Sequence, residues 1–182
     1  MRELSLNILD IAENSLRAAA TEIKIDVEVT DDEIMFVVED NGCGMSADFL
    51  AAVTDPFTTT RTTRKVGLGL PLVKMETEMS DGRFDIRSTK GVGTRVEAAF
   101  GRYHIDRPPV GNLAETLVAL LPDLGETKLV FSYRAFGKTF TLDTDEVKQQ
   151  LDGIPLDSPD VLVFLRDMAE ENIATINGGI VL

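Results

Sequence analysis

The sequence predicts an α+β fold, and three observations carry the prediction. Segments with apolar residues every three or four positions alternate with segments that switch between apolar and polar at every second residue. The alternating segments come in pairs around short turns, as hairpin strands do. The composition is that of an ordinary globular chain: 182 residues, 43% hydrophobic and 27% charged. That length suffices for one domain with a core and a small appendage.

Glu3 to about Ala20 reads as a helix, because Leu4, Ile8, Ile11, Ala12, Ser15 and Ala19 recur at helical spacing. Glu22–Val29 alternates, with Ile23, Ile25, Val27 and Val29 on one side, and reads as a half-buried strand. Asp31-Asp32 makes a turn into a second strand, Ile34–Glu39. Asn41-Gly42-Cys43-Gly44 is a loop, and Ser46 is placed to cap a short helix through about Val53. Thr54–Gly69 is polar with little periodicity and reads as a long mobile loop of the kind that carries function. Pro71 starts a helix to about Met79. Phe84–Ser88 and Thr94–Phe100 are strands around a Gly91-Val92-Gly93 turn.

Beyond Gly101, Pro108-Pro109 and Gly111 mark residues 102–112 as an extended linker, since proline fixes the backbone and removes donors. Residues 113–182 read as an ordered appendage. Leu113–Leu121 is a helix, and Leu129–Arg134 with Lys138–Leu142 is a hairpin turning at Phe136-Gly137. Asp143 and Glu146 form a capping pattern for a helix ended by Gly153, and Ser158-Pro159 opens a last helix to about Asn172.

Charge and composition exclude several functions. Eighteen basic against 31 acidic residues give a net charge of −13, shared by both halves of the chain. No basic excess exists for phosphate-driven nucleic-acid binding or for anionic membranes. One cysteine rules out an intrachain disulfide and a multi-cysteine metal cluster, and one histidine rules out a zinc site built on two. The first ten residues carry charges where a secretory signal needs an apolar core, and no apolar run approaches the roughly 18 residues of a membrane span. A soluble cytoplasmic protein is expected.

Four short motifs carry the chemistry. Asn7, Asp10, Asn14 and Arg17 fall on one face of the first helix and offer amide oxygens, a carboxylate and a guanidinium. Amide and carboxylate oxygens are hard ligands suited to Mg²⁺, and a guanidinium suits phosphate. A solvated helix face has the same look. Asp40-Asn41-Gly42-Cys43-Gly44-Met45 follows a strand and places an acceptor where backbone can approach a ligand closely. Thr58–Leu70 brings hydroxyls and three cations into Gly67-Leu68-Gly69 at a helix start, where N–H groups and glycine suit anions. It lacks the Gly-Lys-Ser/Thr ending of a Walker loop and the preceding strand of a dinucleotide fingerprint. Gly91-Val92-Gly93-Thr94 opens the last strand of this half.

In this order, the motifs resemble those of the GHKL ATPases: DNA gyrase, the ninety-kilodalton heat-shock chaperones, histidine kinases and MutL-type mismatch-repair proteins. The resemblance covers about residues 3–101. It implies a histidine kinase-like ATPase domain over 1–101, with the Bergerat fold, a two-layer α/β sandwich whose mixed sheet is covered on one face by helices. It also implies ATP and Mg²⁺ as cofactors. Asn14 resembles the Mg²⁺-coordinating Asn, with Asp10 as a second candidate ligand and as the base for water. Arg17 stands where histidine kinases often place a phosphate-touching cation. Asp40 resembles the adenine-reading carboxylate, with Thr94 as its helper through water. Gly42, Gly44 and Met45 belong to the first glycine box. Gly67 and Gly69 form the second, with Leu68 and Leu70 beside them, and Lys65 departs from the Gly-Thr that kinases usually show there and is a candidate phosphate contact. Phe57 resembles the phenylalanine box and Arg61 the cation beside it. Asp-Pro-Phe-Thr-Thr-Thr-Arg followed by Gly-Leu-Gly-Leu-Pro-Leu-Val is closest to the histidine-kinase branch. Asp10 is one methylene shorter than the usual Glu, so slow hydrolysis is expected.

A histidine kinase also needs a phosphoacceptor histidine on a helical hairpin, and only two residues precede the first helix here. His104, the one histidine, reads as a linker or surface residue, and Cys43 as unreactive. The resemblance therefore implies an ATP-dependent phosphotransferase, or slow ATPase, that passes the γ-phosphate to a partner protein. An ATP-switched binding module is the alternative, and a dimerising gyrase- or mismatch-repair-like ATPase the third reading. The tail is read either as packing onto the ATPase domain or as a partner-docking surface.

Overall fold

The computed structural model describes residues 3–54, 69–180 and 182. Its core is a six-stranded sheet built from β1 (Glu22–Val29), β2 (Glu33–Asp40), β3 (Arg83–Thr89), β4 (Gly93–Gly101), β5 (Lys128–Ala135) and β6 (Lys138–Asp143). Their order across the sheet is β3-β4-β2-β1-β5-β6. All neighbours are antiparallel except β1 and β5, which run parallel from Glu22↔Lys128 to Val29↔Ala135. The sheet is mixed, and the fold is the α+β class expected from the sequence.

Alternation along each strand decides which face is wet. The register places Val27 opposite Phe36 and Tyr133, and Phe36 opposite Ala98, so these side chains share one face. They form a single apolar cluster with α1 (Leu4–Arg17), α3 (Gly69–Met79), α4 (Leu113–Leu120) and α6 (Pro159–Asn177). Each large side chain removed from water there contributes about 1.5–3 kcal/mol. The other face carries Lys24, Asp26, Glu28, Glu39, Arg95 and Glu97 and faces solvent. Its charges pair across strands, as in Arg134–Asp26 at 3.2 Å and Arg95–Glu39 at 3.5 Å. Two short helices, α2 (Ala47–Ala52) and α5 (Thr144–Gln150), are also present. Ser46 caps α2 by accepting from the Phe49 N–H, and Asp143 caps α5 by accepting from the Asp145 N–H.

Several boundaries differ from expectation for identifiable reasons. The first helix stops at Arg17 rather than Ala20, because Ala19 takes φ 56° and turns the chain into β1. The third helix begins at Gly69, so Pro71 sits inside the first turn, where its missing donor costs nothing. The last helix runs on to Asn177 and ends at Gly178 in the left-handed conformation. Ile176 extends its buried stripe, and the buried Tyr133 hydroxyl donates to Asn177 Oδ1 at 2.6 Å. Burial pushes the Tyr133 phenol pKa up.

The tail is part of the same sheet and the same core. Residues 102–112 lie against the body of the protein. The N–H groups of Leu4 and Ser5 donate to Pro109 and Val110, each at 2.9 Å. The Arg102 guanidinium lies over the rings of Tyr103 and Phe136 at 5.0 and 5.1 Å, and its Nη1 donates to the Thr30 carbonyl. No helix among the described residues is long and apolar enough to cross a membrane.

Candidate functional site

The site is assembled where α1, the end of β2 and the start of β4 converge. Asp40 is the last residue of β2 and pairs with Thr94 near the start of β4, so the two side chains stand together on the helix-covered face. The Asp40 carboxylate is anchored twice. Its Oδ2 accepts from the Ser15 hydroxyl of α1 at 2.6 Å, and its Oδ1 from the Gly42 N–H at 2.9 Å. Two donors on an ionised carboxylate fix its plane and leave lone pairs for a ligand donor.

The loop after Asp40 is held tightly. Asn41 Oδ1 accepts from the N–H groups of Thr21 and Glu22 at 2.8 and 2.9 Å, closing the end of β2 onto the start of β1. The Cys43 N–H donates to the Ala18 carbonyl, which brings the glycine loop against the end of α1. A Cβ at Gly42 would lie 2.8 Å from that same carbonyl and 3.1 Å from Asp40 Oδ1. Gly44 takes φ 59°, and a Cβ there would stand 2.1 Å from the Thr89 carbonyl oxygen. Glycine is required at both positions, the first for close approach and the second also for its backbone angle. The Met45 N–H donates to Ser88 Oγ at 2.8 Å, tying the loop to β3.

On α1, Asp10, Asn14 and Arg17 line up as the spacing predicts. Asn14 and Arg17 are exposed. Arg17 donates to Asn14 Oδ1 at 3.0 Å and to Glu13 at 2.6 Å. Asp10 adjoins the start of α3, where a Cβ at Gly69 would lie 3.9 Å from Asp10 Oδ2. The amino end of α3 and the carboxylate of Asp10 therefore face one another, and Leu70 packs against the core behind them. An amide oxygen and a carboxylate one helical turn apart form a hard-oxygen pair. That pair fits Mg²⁺ together with phosphate oxygens.

Asn7 departs from this stripe. It is fully buried, and its Nδ2 donates to Glu76 of α3 at 2.6 Å, while its Oδ1 has no partner among the described residues. It fastens α1 to α3 rather than facing a ligand. Phe57, Arg61, Lys65, Gly67 and Leu68, and the expected loop that holds them, lie outside the described residues.

Sequence reasoning missed Ser15 and Ser88, which contact Asp40 and Thr94. Ser15 fell on the apolar side of α1 and was counted with the core. A hydroxyl on a buried stripe needs a partner, and that rule points from Ser15 to a nearby acceptor. A cavity of about 300 Å³ opens on the other face at the same end of the sheet, with Lys24, Glu39, Arg87 and Arg95 in its lining. Asp40, Ser88 and Thr94 also line it, so it adjoins the Asp40 site at the sheet end, and its three cations already sit beside carboxylates.

Comparison with known proteins matches residues 2–103 to the family model of histidine kinase-, DNA gyrase B-, and HSP90-like ATPases. A Vibrio harveyi protein named autoinducer 2 sensor kinase/phosphatase LuxQ is 33% identical over 140 residues, covering 67% of this chain and 16% of that protein. A Bacillus subtilis protein named "Probable C4-dicarboxylate sensor kinase" is 32% identical over 97 residues, covering 52% of this chain and 18% of that protein. The chain spans 16–18% of the length of such curated relatives. Among solved structures, the N-terminal domain of a DNA repair protein superposes with a TM-score of 0.56 at 14% identity. That match covers 79% of this chain and 53% of that one, and it shows a shared fold.

Proposed function

Because the chain belongs to the histidine kinase-, DNA gyrase B-, and HSP90-like ATPase family, we propose that it binds ATP with Mg²⁺ and passes the γ-phosphoryl group to a side chain of a partner protein. The observation that carries this reading is the doubly anchored Asp40 carboxylate, set beside Thr94 and across from α1.

Each residue has a task in this reading. Asp40 accepts from the exocyclic amine of adenine, with Thr94 beside it. Gly42 and Gly44 let the loop backbone close over the base. Asn14 and Asp10 present oxygens to the metal, which when bound offsets phosphate charge. Arg17 turns from Glu13 toward the phosphates, and the amino end of α3 at Gly69 offers N–H groups to them. Positioning and charge stabilisation supply most of the catalysis in phosphoryl transfer, so the protein needs no nucleophile of its own. The partner supplies it. We place the protein in the cytoplasm, as part of a signalling or regulatory exchange.

The experiment uses γ-labelled ATP, Mg²⁺, the purified chain and a lysate of its host, with Asn14→Ala as control. Label is expected on a lysate protein and lost with the variant. Label that stays in ATP, or appears only as free phosphate, would exclude transfer.

A further inference from the structure

Ser88, on β3, joins three parts of the adenine end. Its Oγ lies 2.8 Å from the Met45 N–H of the glycine loop, 3.0 Å from the carbonyl of Gly93 at the start of β4, and 2.8 Å from Thr94 Oγ1. The valences of these groups assign the protons. A backbone N–H only donates and a carbonyl only accepts, while a serine hydroxyl has one proton and two lone pairs. All three contacts are hydrogen bonds in one arrangement only. Ser88 donates to Gly93, and accepts from both Met45 and Thr94. Its capacity is then full, and the Thr94 proton is spent on Ser88.

The consequence falls on the ligand side. Thr94 stands opposite Asp40 in the strand register, on the same face. With its proton held by Ser88, Thr94 offers only lone pairs there, and the anchored Asp40 carboxylate likewise only accepts. Two neighbouring acceptors welcome a donor and repel another acceptor. We propose that Ser88 is a positioning residue for base preference: it holds Thr94 as a pure acceptor, so that the site favours a purine carrying a 6-amino group over one carrying a 6-oxo group. This rests on the nucleotide reading above. Ser88 touches no ligand in it and acts through Thr94.

The test measures equilibrium binding of Mg–ADP and Mg–IDP, which differ in that group, to the full chain and to Ser88→Ala. Thermal melting of each protein accompanies the titrations. Wild type is expected to prefer ADP. Ser88→Ala frees the Thr94 proton to turn toward a 6-oxo group, so the ADP/IDP preference falls about three- to tenfold, the worth of one ordinary hydrogen bond. If Ser88 merely stiffens the turn, both ligands weaken together and the ratio stays constant, which overturns the proposal. Thr94→Val keeps the shape of the site and gives an independent arm should Ser88→Ala melt early. It should weaken ADP while leaving IDP unchanged or tighter, and loss of IDP binding alone would show Thr94 to be a donor. A wild-type chain that binds neither nucleotide sinks the nucleotide reading itself. Binding of both without a Ser88 effect on the ratio sinks only this inference.

Discussion

Glu39 and Asp40 are consecutive carboxylates on one strand, and they live on opposite faces of the sheet. Asp40 points to the helix-covered side, where Ser15 and Gly42 hold both its oxygens. Glu39 points to the open side, where it pairs loosely with Arg95 at 3.5 Å and is half exposed. The same chemistry becomes a fixed acceptor in one direction and an exchangeable surface charge in the other. The difference lies in the elements stacked behind each face. Four helices shut water away from the first, and solvent competes for every contact on the second.

The sharpest break of that contrast is a charge moved to the wrong side. Val27→Asp places a carboxylate between Phe36 and Tyr133 and should cost about 4 kcal/mol or more in a urea melt. Asp26→Ala, one residue away on the open face, should cost less than about 1 kcal/mol in the same melt.

Next comes the pair itself. Asp40→Asn keeps the shape but loses the charge, and should weaken Mg–ADP binding about tenfold to a hundredfold by calorimetry. Glu39→Gln should stay within about twofold of wild type.

A third contrast lies along α1. Asn7 and Asn14 are seven residues apart, yet one is buried against Glu76 and the other exposed beside Arg17. Asn7→Ala should destabilise the fold by about 1–3 kcal/mol, because it leaves Glu76 without its donor and opens a void. Replacing both partners, as Asn7→Leu with Glu76→Met, should recover most of that loss, since Asn7 Oδ1 gains nothing from burial. Asn14→Ala should leave the urea midpoint unchanged.

The smallest effect is a matter of pH on the open face. The hydrogen bond from Arg83 holds the Glu33 carboxyl below its ordinary value. A lowered folded-state pKa gives stability that is complete above the unfolded value and fades as pH falls through the folded one. Arg83→Met should therefore cost about 0.2–1 kcal/mol near neutrality and nothing in strong acid, where Glu33 is protonated in both states. A difference that persisted in strong acid would point to packing of the Arg83 stem instead.

Much of this architecture was legible in the chain, for reasons that also mark where legibility ends. Period-two alternation identified β1 to β4 within a residue or two, because one face of each is apolar. The caps at Ser46 and Asp143 were readable from local chemistry alone. Alternation does not name a partner, so nothing in Leu129–Arg134 announced a parallel pairing with β1. Proline and glycine marked residues 102–112 as irregular, but irregular backbone docks as readily as it dangles once Leu4 and Ser5 supply donors. Asp40, Gly42, Gly44 and Thr94 come together as the motif order implied. Asn7 does not join them, because helical spacing fixes only an angle, and a neighbouring helix decides which part of that angle is dry. Ser15 and Ser88 stayed hidden because a lone serine has no pattern. Its meaning comes from the acceptor that the fold brings to it.

The parallel contact of β1 with β5 has a consequence for how the protein is made. Its first pair, Glu22 with Lys128, joins residues more than a hundred positions apart. Until β5 has been synthesised, β1 has one open edge, with apolar Ile23, Ile25 and Val27 beside unpaired backbone groups. Such an edge is a template for pairing with other chains. Long-range parallel pairing is also slow to form, because loop closure precedes any reward. On the ribosome, the segment containing every described site residue therefore emerges well before the strand that seals its sheet, and chaperones that shield strand edges would matter most during that interval.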